Sequence, residues 1–410
     1  MKRRDILSMS GTALLLAQSK LAGQSVGAKK KVVVMGAGIA GMSCAYELVR
    51  RGHDVTVYCR RGNAPGNPAE FRGVRLCYRP HVERKSLGTL THTLACTWHA
   101  MRRDFDVLLY FNAATAPTAL LARLGSRKAI VLNVDGLEWR RRKWGPVGRT
   151  YYVLAEWLST RVADRVISDS LAIQHYYADR WHTPSTFVPY GAHVEDAAQP
   201  EILRSYGLEP GSYFFVGSRL EPENNADVTV AAFAQVTTDK RLVIAGGANY
   251  ESRFVARLRR LADPRVLFLG PVYQPGHMRE LHCGAFAYVH GNEVGGTNPA
   301  LLKALGYGNC VLVLDVPFNA EVVGDAALLY QKDPDDLAAH MRRLLAEPAL
   351  VQRLRERARR RVRDAYQWEH VVEGYERILR RAAAGGYRTA PLPDIVYPAA
   401  EVVARASRDR

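Results

Sequence analysis

YVHGNEVGGTNPALLKALGYGNCVLVLDVPFNAEVVGDAALLY, Tyr288–Tyr330, reads as a buried strand, a glycine-containing loop, a helix, a second apolar strand and a further loop. Asn298 is a good helix cap, and Pro299 suits the first helical position, where its missing N–H costs nothing. The loop before it, Gly295, Gly296 and Thr297, has little bulk, so open backbone N–H groups lie beside a helix N-terminus. Such a site attracts phosphate. Tyr307–Gly308 ends the helix, and CVLVLDVP is an apolar run of the kind buried in parallel sheets. A lone glycine pair reads more readily as an ordinary βαβ turn; the whole stretch is more specific.

The 410 residues suffice for two domains with separate cores. Hydrophobic content of 48% and charged content of 24% are those of a globular protein. The net charge of +17 is concentrated in runs such as Arg140–Lys143, Arg257–Arg260 and Arg353–Arg363. Each run alone reads as a solvated helix face. Together they favour an anionic partner: a nucleoside diphosphate, a lipid-linked acceptor or an anionic membrane surface. Nucleic acid is not expected, because no recognised binding motif accompanies the charge. The six cysteines form no CxxC and no metal-ligand spacing, which suits reduced thiols in a cytoplasmic protein and gives no reason to expect a metal. No apolar run is long enough to span a bilayer.

Residues 1–30 read as a leader or a disordered basic arm: Lys2-Arg3-Arg4-Asp5-Ile6-Leu7 precedes the mildly apolar GTALLLAQ, a pattern similar to a twin-arginine export signal. KVVVMGAGIAG, Lys31–Gly41, gives a strand followed by Gly36, Gly38 and Gly41 in G-x-G-x-x-G spacing. A helix to Arg51 and the strand DVTVY follow. That is a dinucleotide-type loop in the right strand–turn–helix context, although Cys59 stands where a ribose-holding acid is required. FDVLLYFNAA, KAIVLNVDGLEW and ADRVISDS are three more apolar strands running into small or polar residues. In such sheets chemistry lies beyond the carboxyl ends of strands, which makes Asp135, Glu138 and Trp139 candidates. The other reading of these acids is ordinary capping. FVPYG, 187–191, looks like the exit from the first domain, with a linker near 192–200.

The second domain opens with SYFFVGSRLEPENN, where Gly217 ends a strand and Arg219 and Asn224 lie in the loop before the next helix. A guanidinium offers planar, charge-assisted bonds to phosphate, and an Asn amide only a neutral donor. LVIAGGA and VLFLGPVY are further strand–loop units, and His282 and His290 read as structural. From Asp335 to Arg381 the pattern is helical, with Leu337, Met341, Leu344 and Leu345 on one face.

From Val55 to about residue 380 the chain resembles retaining glycosyltransferases of the two-domain GT-B class, in particular the family 4 type and its bacterial rhamnosyltransferase-like group. The motifs are GGTNP at Gly295–Pro299, Leu301–Leu302, and DVPFNAEVVGDA at Asp315–Ala326. The resemblance implies an α/β fold of two Rossmann-like domains facing across a cleft: 31–195 on the acceptor side and 196–365 binding the nucleotide sugar. It also implies a terminal helix, 366–381, crossing back, with 382–410 a loose tail. By resemblance Arg219 and Asn224 clamp the donor diphosphate, Asn224 standing where the group commonly has Lys. Two glutamates of the wider superfamily are replaced here by Gly295 and Lys303, and Glu293 is a possible substitute for the lost ribose contact. A longer GGFE-containing loop before the first helix is missing. Residues 1–57 instead resemble the start of a flavin amine oxidoreductase.

The expected activity is transfer of a sugar from a nucleoside diphosphate to a glycan or lipid-linked acceptor, in surface polysaccharide synthesis, with no cofactor required. Arg219 would stabilise the leaving diphosphate, and Asp135 is a candidate catalytic carboxylate. A flavoprotein oxidoreductase using FAD, or a non-catalytic nucleotide-sugar-binding relative, are the alternatives. The expected location is the cytoplasm, at most peripheral to the inner membrane face, with export the lesser reading.

Overall fold

The computed structural model describes residues 29–36, 38–62, 66–83, 88–199, 201–247, 253–385, 397 and 399–408. The leader reading therefore falls outside the described residues, apart from Lys29 and Lys30. The chain forms two compact units. One is made of residues up to Pro189 plus Trp368–Ala400, and the other of Tyr190–Gln367 plus residues from Glu401.

The first unit is built on β1 (Lys31–Met35), β2 (Asp54–Arg60), β3 (Glu70–Phe71), β4 (Val74–Arg79), β5 (Val107–Phe111), β6 (Ala129–Asn133), β7 (Arg165–Ser168) and β8 (Thr186–Phe187). They form one sheet in the order β3-β4-β2-β1-β5-β6-β7-β8. All pairs are parallel except β3 with β4. Val32, Val33 and Val34 are fully buried, as are Leu108, Leu109 and Tyr110. A strand covered on both faces must be apolar throughout, which is why these runs do not alternate. The helices between strands are α1 (Ile39–Arg50), α2 (Gly88–Met101), α3 (Ala116–Gly125), α4 (Pro146–Val162) and α5 (Leu171–Trp181). The β3–β4 hairpin turns at Arg72 and Gly73, both at positive φ, the geometry that a two-residue hairpin loop needs.

The helix Trp368–Ala384 completes this unit by packing on α1, β5 and β6. Its Tyr375 hydroxyl accepts a hydrogen bond from Asn133 Nδ2 at 2.6 Å. Its Glu376 receives Arg51 Nη1 at 3.0 Å and meets His53 Nε2 at 3.1 Å.

The second unit carries β9 (Tyr213–Gly217), β10 (Arg241–Ala245), β11 (Val266–Gly270), β12 (Ala287–His290), β13 (Val311–Leu314) and β14 (Ala327–Tyr330). This sheet is wholly parallel in the order β11-β10-β9-β12-β13-β14. Its core, around Phe214, Val230, Phe233, Leu242, Leu312 and Met341, shares no residue with the core of the first unit. Gly306, at the end of the helix Pro299–Gly306, allows a close backbone approach: a Cβ there would lie 2.2 Å from the His193 carbonyl oxygen.

The tail departs from the loose segment expected. Ala400–Arg408 is a helix, and Tyr397 is buried edge-to-face against Phe187. The reason is apolar anchoring that composition hides: Val403 is fully buried, and Arg361 Nη1 donates to the Val402 carbonyl at 3.1 Å.

Candidate functional site

In each sheet the chain starts at a central strand, builds outward one way, then returns to build the other way. In the second unit that reversal lies between β9 and β12. At such a point the loops leaving neighbouring strands diverge and open a crevice at the carboxyl end, where ligands of α/β sheets bind. The two loops here are Ser218–Asn225 and Gly291–Asn298, so the fold brings Arg219 and the glycine loop to the same end of adjacent strands.

Arg219 is exposed in the first loop. Asn224, expected to face the donor diphosphate, is instead buried, and its Nδ2 donates to the Arg219 carbonyl at 2.7 Å. It shapes the loop that presents the guanidinium. Asn225, at φ 51, does the same for the opposite loop, donating from Nδ2 to the Gly291 carbonyl at 2.8 Å.

In the second loop Gly296 and Thr297 are buried, and Gly295 faces open space where a Cβ would meet nothing. The Asn298 side chain caps the helix Pro299–Gly306 by accepting from the Ala300 N–H at 2.9 Å. Glu293, expected as a substitute ribose ligand, is engaged otherwise: it pairs with Lys332 and receives Asn225 Nδ2 at 3.3 Å. Lys303 lies half-buried on the same helix. Burial lowers its ammonium pKa, and the opposing Glu195 carboxylate raises it. Its electrostatic partner is thus already in the protein.

Deeper in the crevice His290 ends β12. It is buried, and burial, reinforced by the positive field of His282, pulls its imidazole down to about 3. Its Nε2 has no hydrogen-bond partner. His282, by contrast, bonds Asn309 Oδ1 through Nδ1 at 2.9 Å and is a satisfied core histidine. At the opposite end of the sheet, before β12 and β13, a cavity of ≈ 460 Å³ is lined by Asp196, Tyr307, Arg355 and Arg359. Its arginines are engaged, Arg359 with Asp196 at 2.6 Å and Arg355 with the Ala285 carbonyl at 2.6 Å.

In the first unit the reversal lies between β1 and β5. Gly36 and Gly41 have steric reasons: a Cβ on Gly36 would lie 2.9 Å from Phe111 Cβ, and one on Gly41 would lie 1.9 Å from the Gly36 carbonyl oxygen. Gly38 has open space. After β5 and β6 stand Asn112 and Asp135, both non-glycine residues at positive φ, 75 and 58. Such backbone strain persists only where surrounding bonds enforce it. Here Asn112 Nδ2 donates to Asp135 Oδ2 at 3.3 Å, and the Asp135 N–H to Asn133 Oδ1 at 2.9 Å. Burial and the nearby Glu138 carboxylate raise the Asp135 pKa. Glu138 is held by Arg141, by Lys143 at 3.4 Å and by Trp144 Nε1 at 3.4 Å. Burial opposes its ionisation, but these cations keep its carboxyl below the ordinary range. It therefore anchors the basic run rather than offering a free carboxylate. Trp139 is half-buried with Arg140 over its ring at 5.3 Å.

Two further groups here lay outside the sequence reading. Asn112 had a visible signal, a polar residue directly after an apolar strand. Glu156 had none: inside α4, it is 2% exposed, its Oε2 accepts from the Tyr176 hydroxyl at 2.9 Å, and burial pushes its carboxyl up to about 7.

Residues 199–361 match the family described as glycosyl transferases group 1, residues 109–193 a domain of unknown function (DUF1972), and residues 34–87 the NAD(P)-binding Rossmann-like domain. No curated protein matches the chain by sequence comparison. Among solved structures, sucrose-phosphate synthase from Thermosynechococcus elongatus is similar at TM-score 0.73 and 17% identity, over 87% of this chain and 100% of that one. HepE of Anabaena in complex with UDP is similar at TM-score 0.69 and 16% identity, over 86% and 100%. A glycosyltransferase from Rickettsia africae is similar at TM-score 0.65 and 11% identity, over 88% and 100%. The fold is that of the GT-B glycosyltransferases: two α/β domains on parallel sheets. The match to the glycosyl transferases group 1 family lies within the second unit.

Proposed function

We propose that the protein is a glycosyltransferase that moves a sugar from a nucleoside diphosphate to a hydroxyl of a glycan or lipid-linked acceptor, with retention of anomeric configuration. The observation that carries this is the β9–β12 crevice, where an exposed arginine and an Asn-capped helix N-terminus with a low-bulk loop stand at the same end of adjacent strands. Positive charge and aimed N–H groups at that end suit a departing diphosphate, and stabilising developing charge is usually a large catalytic contribution. The UDP in the HepE complex makes UDP the first nucleotide to try.

In this reading the bond from the anomeric carbon to the diphosphate oxygen breaks, and a bond to the acceptor oxygen forms on the same face. The acceptor proton passes to the leaving phosphate oxygen. Asp135 lies in the first unit's strained cluster, and its role is to orient the acceptor hydroxyl. Lys303 and Gly295 leave the ribose without the usual carboxylate contact, so nucleotide affinity rests mainly on the diphosphate. The pattern Asp315–Ala326 supports a hexosyl or rhamnosyl donor and a role in bacterial surface polysaccharide synthesis at the cytoplasmic side.

The test is Arg219→Ala. Turnover should fall by about 10²-fold or more, with an unchanged circular dichroism spectrum. A variant with normal turnover and normal UDP affinity would reject the diphosphate assignment. The match at residues 34–87 favours one second reading, dinucleotide binding in the first unit. Its mark would be a yellow preparation with flavin absorbance if the dinucleotide is FAD, or saturable binding of NAD(P) by calorimetry if it is a nicotinamide dinucleotide.

A further inference from the structure

Helices α2, α3 and α4 pack side by side as one layer of the first unit, α2 on α3 and α3 on α4. Their outward faces are apolar where a solvated layer is polar. On α4 the exposed stripe is Val147, Thr150, Leu154, Trp157 and Arg161, a spacing that keeps one face of a helix. Val147 is 85% exposed and Leu154 58%. On α3 Leu121 and Leu124 project, Leu124 at 77%; on α2 Leu94 and Trp98 do, Trp98 at 60%. Among the described residues, only Val82, Leu261 and Val402 are large apolar side chains exposed elsewhere.

The rim of this face is basic. Arg102 follows Trp98 by one turn with its guanidinium 3.5 Å from the ring centre, and Arg161 follows Trp157 at 5.9 Å. Arg127, Arg142 and Arg149 are exposed nearby in the chain. The acids of the same segment have partners: Asp104 pairs with Lys31, Asp106 accepts from the Lys31 N–H, Asp135 accepts from Asn112, Glu138 pairs with Arg141, Asp164 pairs with Arg123, and Glu156 is buried with Tyr176. The face therefore shows apolar side chains bordered by exposed arginines, Arg102, Arg127 and Arg149 among them.

We propose that this three-helix face is a docking surface for an anionic lipid bilayer. Leu, Val and Trp would enter the headgroup boundary while arginines meet lipid phosphates, the division of labour of interfacial helices. A second copy of the chain fits less well, since a self-complementary contact would set arginine rim against arginine rim. The proposal needs no sugar donor, so it stands or falls separately from the transferase reading.

The experiment is vesicle co-sedimentation of the full chain. Vesicles of phosphatidylcholine with phosphatidylglycerol should bind the protein, pure phosphatidylcholine should not, and binding should weaken as salt rises past the Debye regime. The double variant Trp98→Ser/Trp157→Ser should lower the vesicle partition by about tenfold or more, with an unchanged melting temperature. Absence of binding to the anionic vesicles at low salt would overturn the proposal, as would equal binding by the double variant. A solution dimer that the double variant dissociates would overturn it too, assigning the face to a second copy.

Discussion

Glu156 shows what burial does to a single carboxyl. Its ordinary value is 4.5, and inside α4 it rises to about 7, opposed only in part by the Tyr176 hydroxyl and the charges of Arg180 and Arg140. The folded chain thus keeps a proton that the unfolded chain has lost. The associated stability is fully present below about pH 4.5 and is lost as pH rises through 7. Glu156→Gln keeps an acceptor for Tyr176 and removes the ionisation. Its stability relative to the parent should therefore climb between pH 4 and pH 9, by up to about 3 kcal/mol. Urea unfolding at the two ends of that range checks it, and a pH-independent difference would reject the account. None of this was legible beforehand, because a glutamate in a polar-looking helix says nothing of what covers it. Arg219 and Asn298 were legible, since a polar residue after a strand and a cap before a proline have local meanings. The contacts of Asn224 and Glu293 were not legible, for the opposite reason. Their partners, the Arg219 carbonyl and Lys332, are chosen by loop closure and not by spacing.

At the scale of elements, the helix Trp368–Ala384 is the one on which the first sheet depends. Glu376 is 9% exposed in its side chain and gathers Arg51, His53 and Arg380, the last at 2.7 Å. Burial alone would raise its carboxyl, but these cationic and hydrogen-bonding partners hold it below its ordinary range. Removing one member of a buried charge cluster leaves the others uncompensated, at a cost of roughly 3–5 kcal/mol. Glu376→Ala should lower the unfolding free energy of the first unit by about that amount, while elements of the second unit, such as the helix Pro334–Ala346, keep their hydrogen-exchange protection. Equal loss of protection in both units would contradict the assignment. The helix was visible from its apolar spacing, and so were the parallel strands, because unbroken runs such as Val32–Val34 have one common cause. The β3–β4 hairpin was not, since Arg72–Gly73 sits between short, partly exposed segments with weak alternation.

For the molecule as a whole, each unit carries a buried apolar cluster of its own, one around Phe214 and Leu312 and one around Val33 and Leu108, so heat should disrupt the units in separable steps. If the β9–β12 crevice takes a nucleoside diphosphate, UDP stabilises only the second unit. At a hundredfold excess over Kd the gain is about 2.7 kcal/mol. Differential scanning calorimetry should then show one transition moving upward and the other fixed. Two transitions moving together, or neither moving, would count against that placement. The fold class was readable because each strand announces itself locally and the motif at Gly295–Pro299 ties strand to helix. What the sequence held back was long-range: the 242-residue separation between Asn133 and Tyr375 leaves no local trace.

That separation has a consequence for synthesis. A ribosome releases residues 31–189 early, yet the helix that covers β5 and β6 emerges only after Tyr190–Gln367, the bulk of the second unit. Until then α1 covers β1 and β2 on that face, but β5 and β6 lack their helix, and their apolar side chains are open to wrong partners. The part of the chain made first is the part finished last, so arrest or cleavage just before Trp368 should yield a second unit with all its strands attached to an unfinished first one.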